Sequence, residues 1–268
     1  MMNLMRNQTF AIFFILLAAG VLPELQADDL QRLLQSAQTK LTAKDYDGAI
    51  QDLQNAVAIN PNVAEIYVLL GITYAEQGKS IDSAIGSFQE AIRLDPKLAD
   101  SYFNLGALYV GHKNDPVRAA EYFQKALEID PKFIRAYLGW GWISLLENKD
   151  TKKAIELFQK VLELDPNQAD ALFGLGMSYI TAGKKEYALK PISALRSLNR
   201  IDFATQLEGQ IKQTEGATPS SSAQGSTPEP VSPPPETNTA VPPPSAPAIK
   251  APPAGVAKPS NHPLGKSS

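Results

Sequence analysis

Side chains able to do chemistry are few in this chain, and their spacing does not gather them. It has 268 residues, no Cys and two His, His112 and His262. Neither His has a Cys or an i+4 His beside it, so no metal-ligand spacing is present. The absence of Cys removes disulfides, thiolate sites and lipidated anchors. Ser144 stands where Tyr stands in sister segments, but no base is near it in sequence to make it a nucleophile. Three Asp residues precede Pro at regular intervals (Asp95, Asp130, Asp165), and this reads as turn chemistry rather than a row of acids. No Gly-rich phosphate loop follows a strand. With 25 Lys+Arg against 28 Asp+Glu the net charge is −3, which lacks the footprint of a nucleic-acid binder. The sequence therefore predicts no enzyme, no cofactor and no metal, and attention moves to the elements and the surfaces they present.

Those elements repeat. Pro61, Pro96, Pro131 and Pro166 are 35 residues apart, and so are Gly71, Gly106, Gly141 and Gly176. Around the glycines run Tyr67-x-x-Leu70-Gly71-x-x-Tyr74, Tyr102-x-x-Leu105-Gly106-x-x-Tyr109, Tyr137-x-x-Trp140-Gly141-x-x-Ser144 and Leu172-x-x-Leu175-Gly176-x-x-Tyr179. Downstream of each lies a second motif: Ala84 with Phe88, Ala119 with Phe123, Ala154 with Phe158, and a weaker Ala188 with Ile192. The i, i+3, i+4, i+7 spacing puts each set on one helical stripe, so every period holds two amphipathic helices. Gly106 and Ala119 lack bulk and predict a close crossing of the two helices of one unit. A mid-helix Gly costs up to ~1 kcal/mol, which close packing offsets. Residues before Pro leave the α region, so Asp95, Asp130 and Asp165 end second helices, while Asp115-Pro116 opens one.

This pattern resembles the tetratricopeptide repeat (TPR) family over residues 29 to 200. The resemblance implies an all-α solenoid of about five helix pairs. A degenerate first copy carries Leu33, Ala37, Ala49, Leu53, Ala56 and Pro61. The first unit has a polar opening helix (Gln31, Arg32, Gln35, Gln38), as an end unit should. The last carries Pro191 inside its second helix, and a distorted repeat is expected there. Phe203, Leu207 and Ile211 at i, i+4, i+8 predict a short helix covering the open end.

The resemblance further implies a concave face lined by the first helix of each pair, and transferring that register selects partner-binding residues. They are Val68, Ile72 and Ala75; Phe103, Ala107 and Val110; Leu138, Trp142 and Leu145; Phe173, Met177 and Ile180; with Leu34, Gln38 and Leu41 in the first unit. Some family members place Lys and Asn at such positions to clamp a peptide carboxylate; here the positions are apolar, although Asn104 is nearby. The expectation is a greasy groove for an apolar peptide or helix, centred on Phe103, Leu138 and Trp142.

Both ends of the chain differ from the repeats. Arg6 followed by the uncharged run Phe10–Leu22 and then Pro23-Glu24 has the layout of a secretory signal peptide cut after Ala27. Left uncut, residues 10–22 would be a signal anchor and the chain's contact with a membrane. Export to a periplasm or beyond the cell is expected either way. From 216 to 268 the composition turns to Pro, Ser, Thr and Ala, with 14 of the 21 prolines between Pro219 and Pro263 and no aromatic residue. Such a segment cannot repay its ordering entropy. The expected organisation is residues 1–27 as signal, 28–215 as the repeat domain and 216–268 as a disordered Pro-rich tail. The expected function is a non-catalytic scaffold or adaptor for a protein or peptide partner in the envelope or in secretion. The alternative is a membrane-anchored tether whose tail is the interaction segment.

Overall fold

The computed structural model describes residues 21–147 and 149–216. The signal segment up to residue 20 and the Pro-rich tail lie outside the described residues. Within them are eleven α-helices: α1 (Val21–Thr42), α2 (Tyr46–Ile59), α3 (Ala64–Gln77), α4 (Ile81–Leu94), α5 (Ala99–Gly111), α6 (Pro116–Ile129), α7 (Ile134–Leu146), α8 (Thr151–Leu164), α9 (Ala169–Thr181), α10 (Lys185–Ser197) and α11 (Ile201–Gly216). Odd and even helices up to α10 form five pairs. Each helix packs on its chain neighbours, odd helices touch the next odd helix at α1–α3, α5–α7 and α7–α9, and α11 closes the array against α9 and α10. Contacts are local and sequential, as in a stacked solenoid.

The turns show why the chain folds this way. Asn60, Asp95, Asp130 and Asp165 follow the last residues of α2, α4, α6 and α8. Each accepts a hydrogen bond from the backbone N–H two residues on, at 3.0, 2.9, 2.9 and 3.1 Å, from Asn62, Lys97, Lys132 and Asn167. Asp45, Asp115 and Asp150 cap α2, α6 and α8 through the N–H groups of Gly48, Arg118 and Lys153. The turn within each pair reverses through one residue of positive φ: Lys44 (61°), Gly78 (72°), Asn114 (49°), Lys149 (51°) and Gly183 (73°).

The core is a file of second-helix rings set into the first helices. Phe88, Phe123 and Phe158 are 1%, 2% and 0% exposed. A side-chain carbon on Gly71, Gly106 or Gly141 would stand 2.8, 2.7 or 2.8 Å from the ring of its own pair. In the last pair Ile192 replaces the ring, and Leu207 of α11 takes the space against Gly176 instead. Phe203 and Ile211 pack into the same cluster, so α11 is the covering helix the sequence predicts. α10 is not broken at Pro191. The helix runs from Lys185 to Ser197 with the Pro191 ring fully buried, so apolar packing holds the helix across the missing N–H. At the other end Pro23 lies inside α1.

Candidate functional site

The predicted groove residues stand on the first helix of each pair, but not all of them are open to a partner. Val68, Ile72, Val110, Leu138, Trp142 and Met177 are half-buried, as are Ala75, Leu34 and Leu41, while Gln38 is exposed. Phe103, Ala107, Leu145, Phe173 and Ile180 are 5%, 7%, 4%, 3% and 7% exposed and belong to the interior.

The covering groups come from later in the chain. Phe103 lies 5.5 Å from Phe123 and 5.4 Å from Phe133, centroid to centroid. The Arg135 guanidinium sits over it at 4.8 Å and over Phe133 at 5.0 Å. Arg135 is held there by Asp100, 35 residues earlier, with Nη2 donating to Oδ1 at 2.5 Å. Phe173 is stacked at 4.5 Å by Phe203 of α11, itself covered by Arg200 at 3.8 Å. Leu145 is enclosed in the cluster of Ala154, Phe158 and Val161. Trp142, expected at the centre of the groove, also takes part in the packing. Its ring stands edge-on to Phe158 at 5.2 Å and tilted to Phe173 at 6.0 Å, joining α7, α8 and α9. Its Nε1 is buried with no acceptor among the described residues.

Of the predicted groove positions, the apolar ones that stay half-open around Leu138 are therefore Val68, Ile72 and Val110 before it and Met177 after it. No titratable group with a resolved shift stands in it. Among the described residues no group of three or more His, Asp or Glu side chains is placed to hold a metal ion, and no helix is long and apolar enough to cross a membrane.

The outer face holds a second set of residues that the motif reading passed over. Gln54, Gln89, Gln124 and Gln159 form another 35-residue ladder, on the second helices. Gln54 Nε2 donates to Tyr74 Oη at 3.5 Å, and Gln159 Nε2 to Tyr179 Oη at 3.2 Å. Each pair floors a groove between successive second helices. The groove between α8 and α10 encloses about 770 Å³, and that between α2 and α4 about 380 Å³. Between α4 and α6, Tyr122 instead stacks on Tyr109 at 5.4 Å. Burial there, with the neighbouring Tyr109 phenol, pushes the Tyr122 hydroxyl above its usual pKa.

Family comparison agrees with this helix-pair arrangement. A TPR repeat model matches residues 43–78 and 79–112, and tetratricopeptide repeat models match residues 99–133 and 145–200. The chain belongs to the TPR family. No curated protein matches it. Among solved structures it is similar to one described as the crystal structure of MamA protein, at 24% identity and TM-score 0.57, covering 70% of this chain and 97% of that one. It is similar to MamA 41-end from Desulfovibrio magneticus RS-1 at 21% identity and TM-score 0.58, covering 65% and 96%. A third is YrrB, described as a TPR protein with an unusual peptide-binding site, at 22% identity and TM-score 0.56, covering 66% and 90%. At these identities the likeness is one of fold.

Proposed function

We propose that this TPR protein is a non-catalytic scaffold that holds a partner peptide or helix along the inner face of its array, in the cell envelope or in secretion. The half-buried apolar stripe of α3, α5, α7 and α9 carries this reading. Val68, Ile72, Val110, Leu138 and Met177 are too apolar for a bare solvated face and too open to be core. YrrB, built on the same fold, is described as binding peptide, which supports a peptide as the kind of partner. Replacing Leu138 or Met177 with a photo-crosslinking benzoylphenylalanine tests it. The inner positions should capture a protein partner in the native cell, and Val117, 63% exposed on α6, should not. Equal capture at all three, or none at the inner two, removes the inner face as the site.

The anchored-tether alternative has one observation in its favour. Ala27, the proposed cleavage point, lies inside α1, so cutting there would remove part of the helix that opens the array. Sequencing the N-terminus of the mature chain decides it: a start at Asp28 leaves no anchor.

A further inference from the structure

We infer that the outer groove between α8 and α10 is a docking site for an aromatic side chain presented by a partner peptide. The repeat itself shows what the groove takes. Between α4 and α6 the same groove is filled from within: Tyr122 of α6 stacks on Tyr109 at 5.4 Å and an interplanar angle of 22°, and the Arg118 guanidinium lies 5.5 Å from the Tyr109 ring. Gln89, the counterpart of Gln159, lies beside the Tyr122 hydroxyl there.

One step further along the outer face but one, the floor is kept and the filler is gone. Tyr179 stands where Tyr109 stands, and Gln159 where Gln89 does. The residue before the second-helix core position, Tyr122 in α6, is Pro191 in α10. A buried pyrrolidine cannot reach across, and the space left is about 770 Å³, walled by Leu162, Leu172, Leu175 and Pro191. Tyr187, in the place of Arg118, tilts over Tyr179 at 5.5 Å and is 57% exposed, an aromatic held at the rim rather than packed away. Two phenol rings offering an unfilled face, over an aliphatic floor, match an incoming ring in offset or edge-on stacking. The charges lining the groove, Glu163, Glu186 and Lys190, do not sum to a strong field, and Glu163 is already tied to Lys160 at 2.7 Å. The selected feature is therefore the ring. This surface is separate from the inner stripe and does not depend on it.

The test uses the full chain and defined probes. N-acetyl-tyrosinamide and N-acetyl-leucinamide are titrated at millimolar concentration, and the side-chain NMR signals of Tyr179, Leu162 and Leu172 are followed. The tyrosine probe should shift these signals at least fivefold more than the leucine probe. Pro191→Tyr restores the internal filler and should abolish the shifts while the fold is kept. Tyr187→Ala, at an exposed position, should reduce them at least threefold with unchanged circular dichroism. Equal response to both probes, or shifts that survive Pro191→Tyr and Tyr187→Ala, would overturn the assignment. So would self-association of the free chain that Tyr187→Ala dissolves, because a second copy would then be the occupant.

Discussion

Gly106 of α5 and Phe123 of α6 are matched surfaces. A side-chain carbon on Gly106 would meet the Phe123 ring at 2.7 Å and the Ala119 carbonyl oxygen at 3.1 Å. The same ring is met from its other side by Gly139 of α7, where an added carbon would stand 2.8 Å away. Phe123 is thus clasped between the first helix of its own pair and that of the next. One glycine sets the intrapair crossing and another the stacking of neighbouring pairs.

Gly106→Leu is therefore expected to lower stability by ~1–3 kcal/mol or more, since backbone and a clasped ring cannot move aside. Gly86, mid-helix in α4, has nothing within 4 Å of an added carbon, and Gly86→Ala should raise stability by ~0.5–1 kcal/mol through helix propensity alone. Urea unfolding of the two variants separates packing from propensity. A neutral Gly106→Leu would remove the close-crossing account.

A second expectation concerns the first intrapair turn. Lys44 is held at φ 61°, a conformation that costs a side-chain-bearing residue roughly 1–2 kcal/mol. Lys44→Gly relieves it but frees the unfolded chain, leaving a net gain of ~0.5 kcal/mol. Lys44→Ala, which keeps the side-chain carbon, should gain nothing. Matching denaturation midpoints for the Gly and Ala variants would mean the turn is unstrained.

The first pair is also joined by charge. Lys40 Nζ of α1 lies 2.7 Å from Asp52 Oδ2 of α2, whose side chain is 13% exposed. Burial alone would raise the Asp52 pKa, but the paired Lys40 ammonium and the neighbouring Ser36 side chain outweigh it and hold it below the usual carboxylate value. A carboxylate with a depressed folded-state pKa stabilises the fold fully above its unfolded value of ~3.9, and the contribution is lost as pH falls through the folded value. Asp52→Asn should cost ~1 kcal/mol at neutral pH, and the gap to the unmodified protein should close as the pH drops below ~3.9. A gap that stays constant with pH would assign the loss to packing.

Much of this architecture was legible in the residues. The Gly and Pro ladders gave five pairs and their turns, and Asp95, Asp130 and Asp165 cap as their position before Pro implies. Periodicity identifies which side of a helix is apolar, but not which later segment covers it. Phe103 and Phe173 sit in the groove register, and only the fold brings Arg135 and the α11 ring of Phe203 over them. Pro191 predicts a distorted last pair, yet α10 runs through it, because local propensity is blind to the burial of the ring. The Gln54–Gln159 ladder was visible at the same period, and its meaning required the neighbouring Tyr hydroxyls.

The final prediction follows from this division of the inner face. Trp142 spans α7, α8 and α9 through Phe158 and Phe173, so truncating it removes a bridge between pairs as well as any partner contact. Trp142→Ala is expected to cost ~2–3 kcal/mol of stability, below the ~3–5 kcal/mol of a fully buried large aromatic because the ring is half-buried. It cannot serve as a clean probe of binding. Leu138, also half-buried, lies at the middle of the stripe. Leu138→Ala should cost no more than ~1 kcal/mol of stability and yet weaken a partner captured at the inner face at least ~10-fold, equivalent to ~1.4 kcal/mol. Thermal melts and binding measured on the same preparations check both numbers. If Leu138→Ala loses as much stability as Trp142→Ala, Leu138 is core and the stripe is closed. If it stays folded and binds unchanged, the partner sits elsewhere on the array.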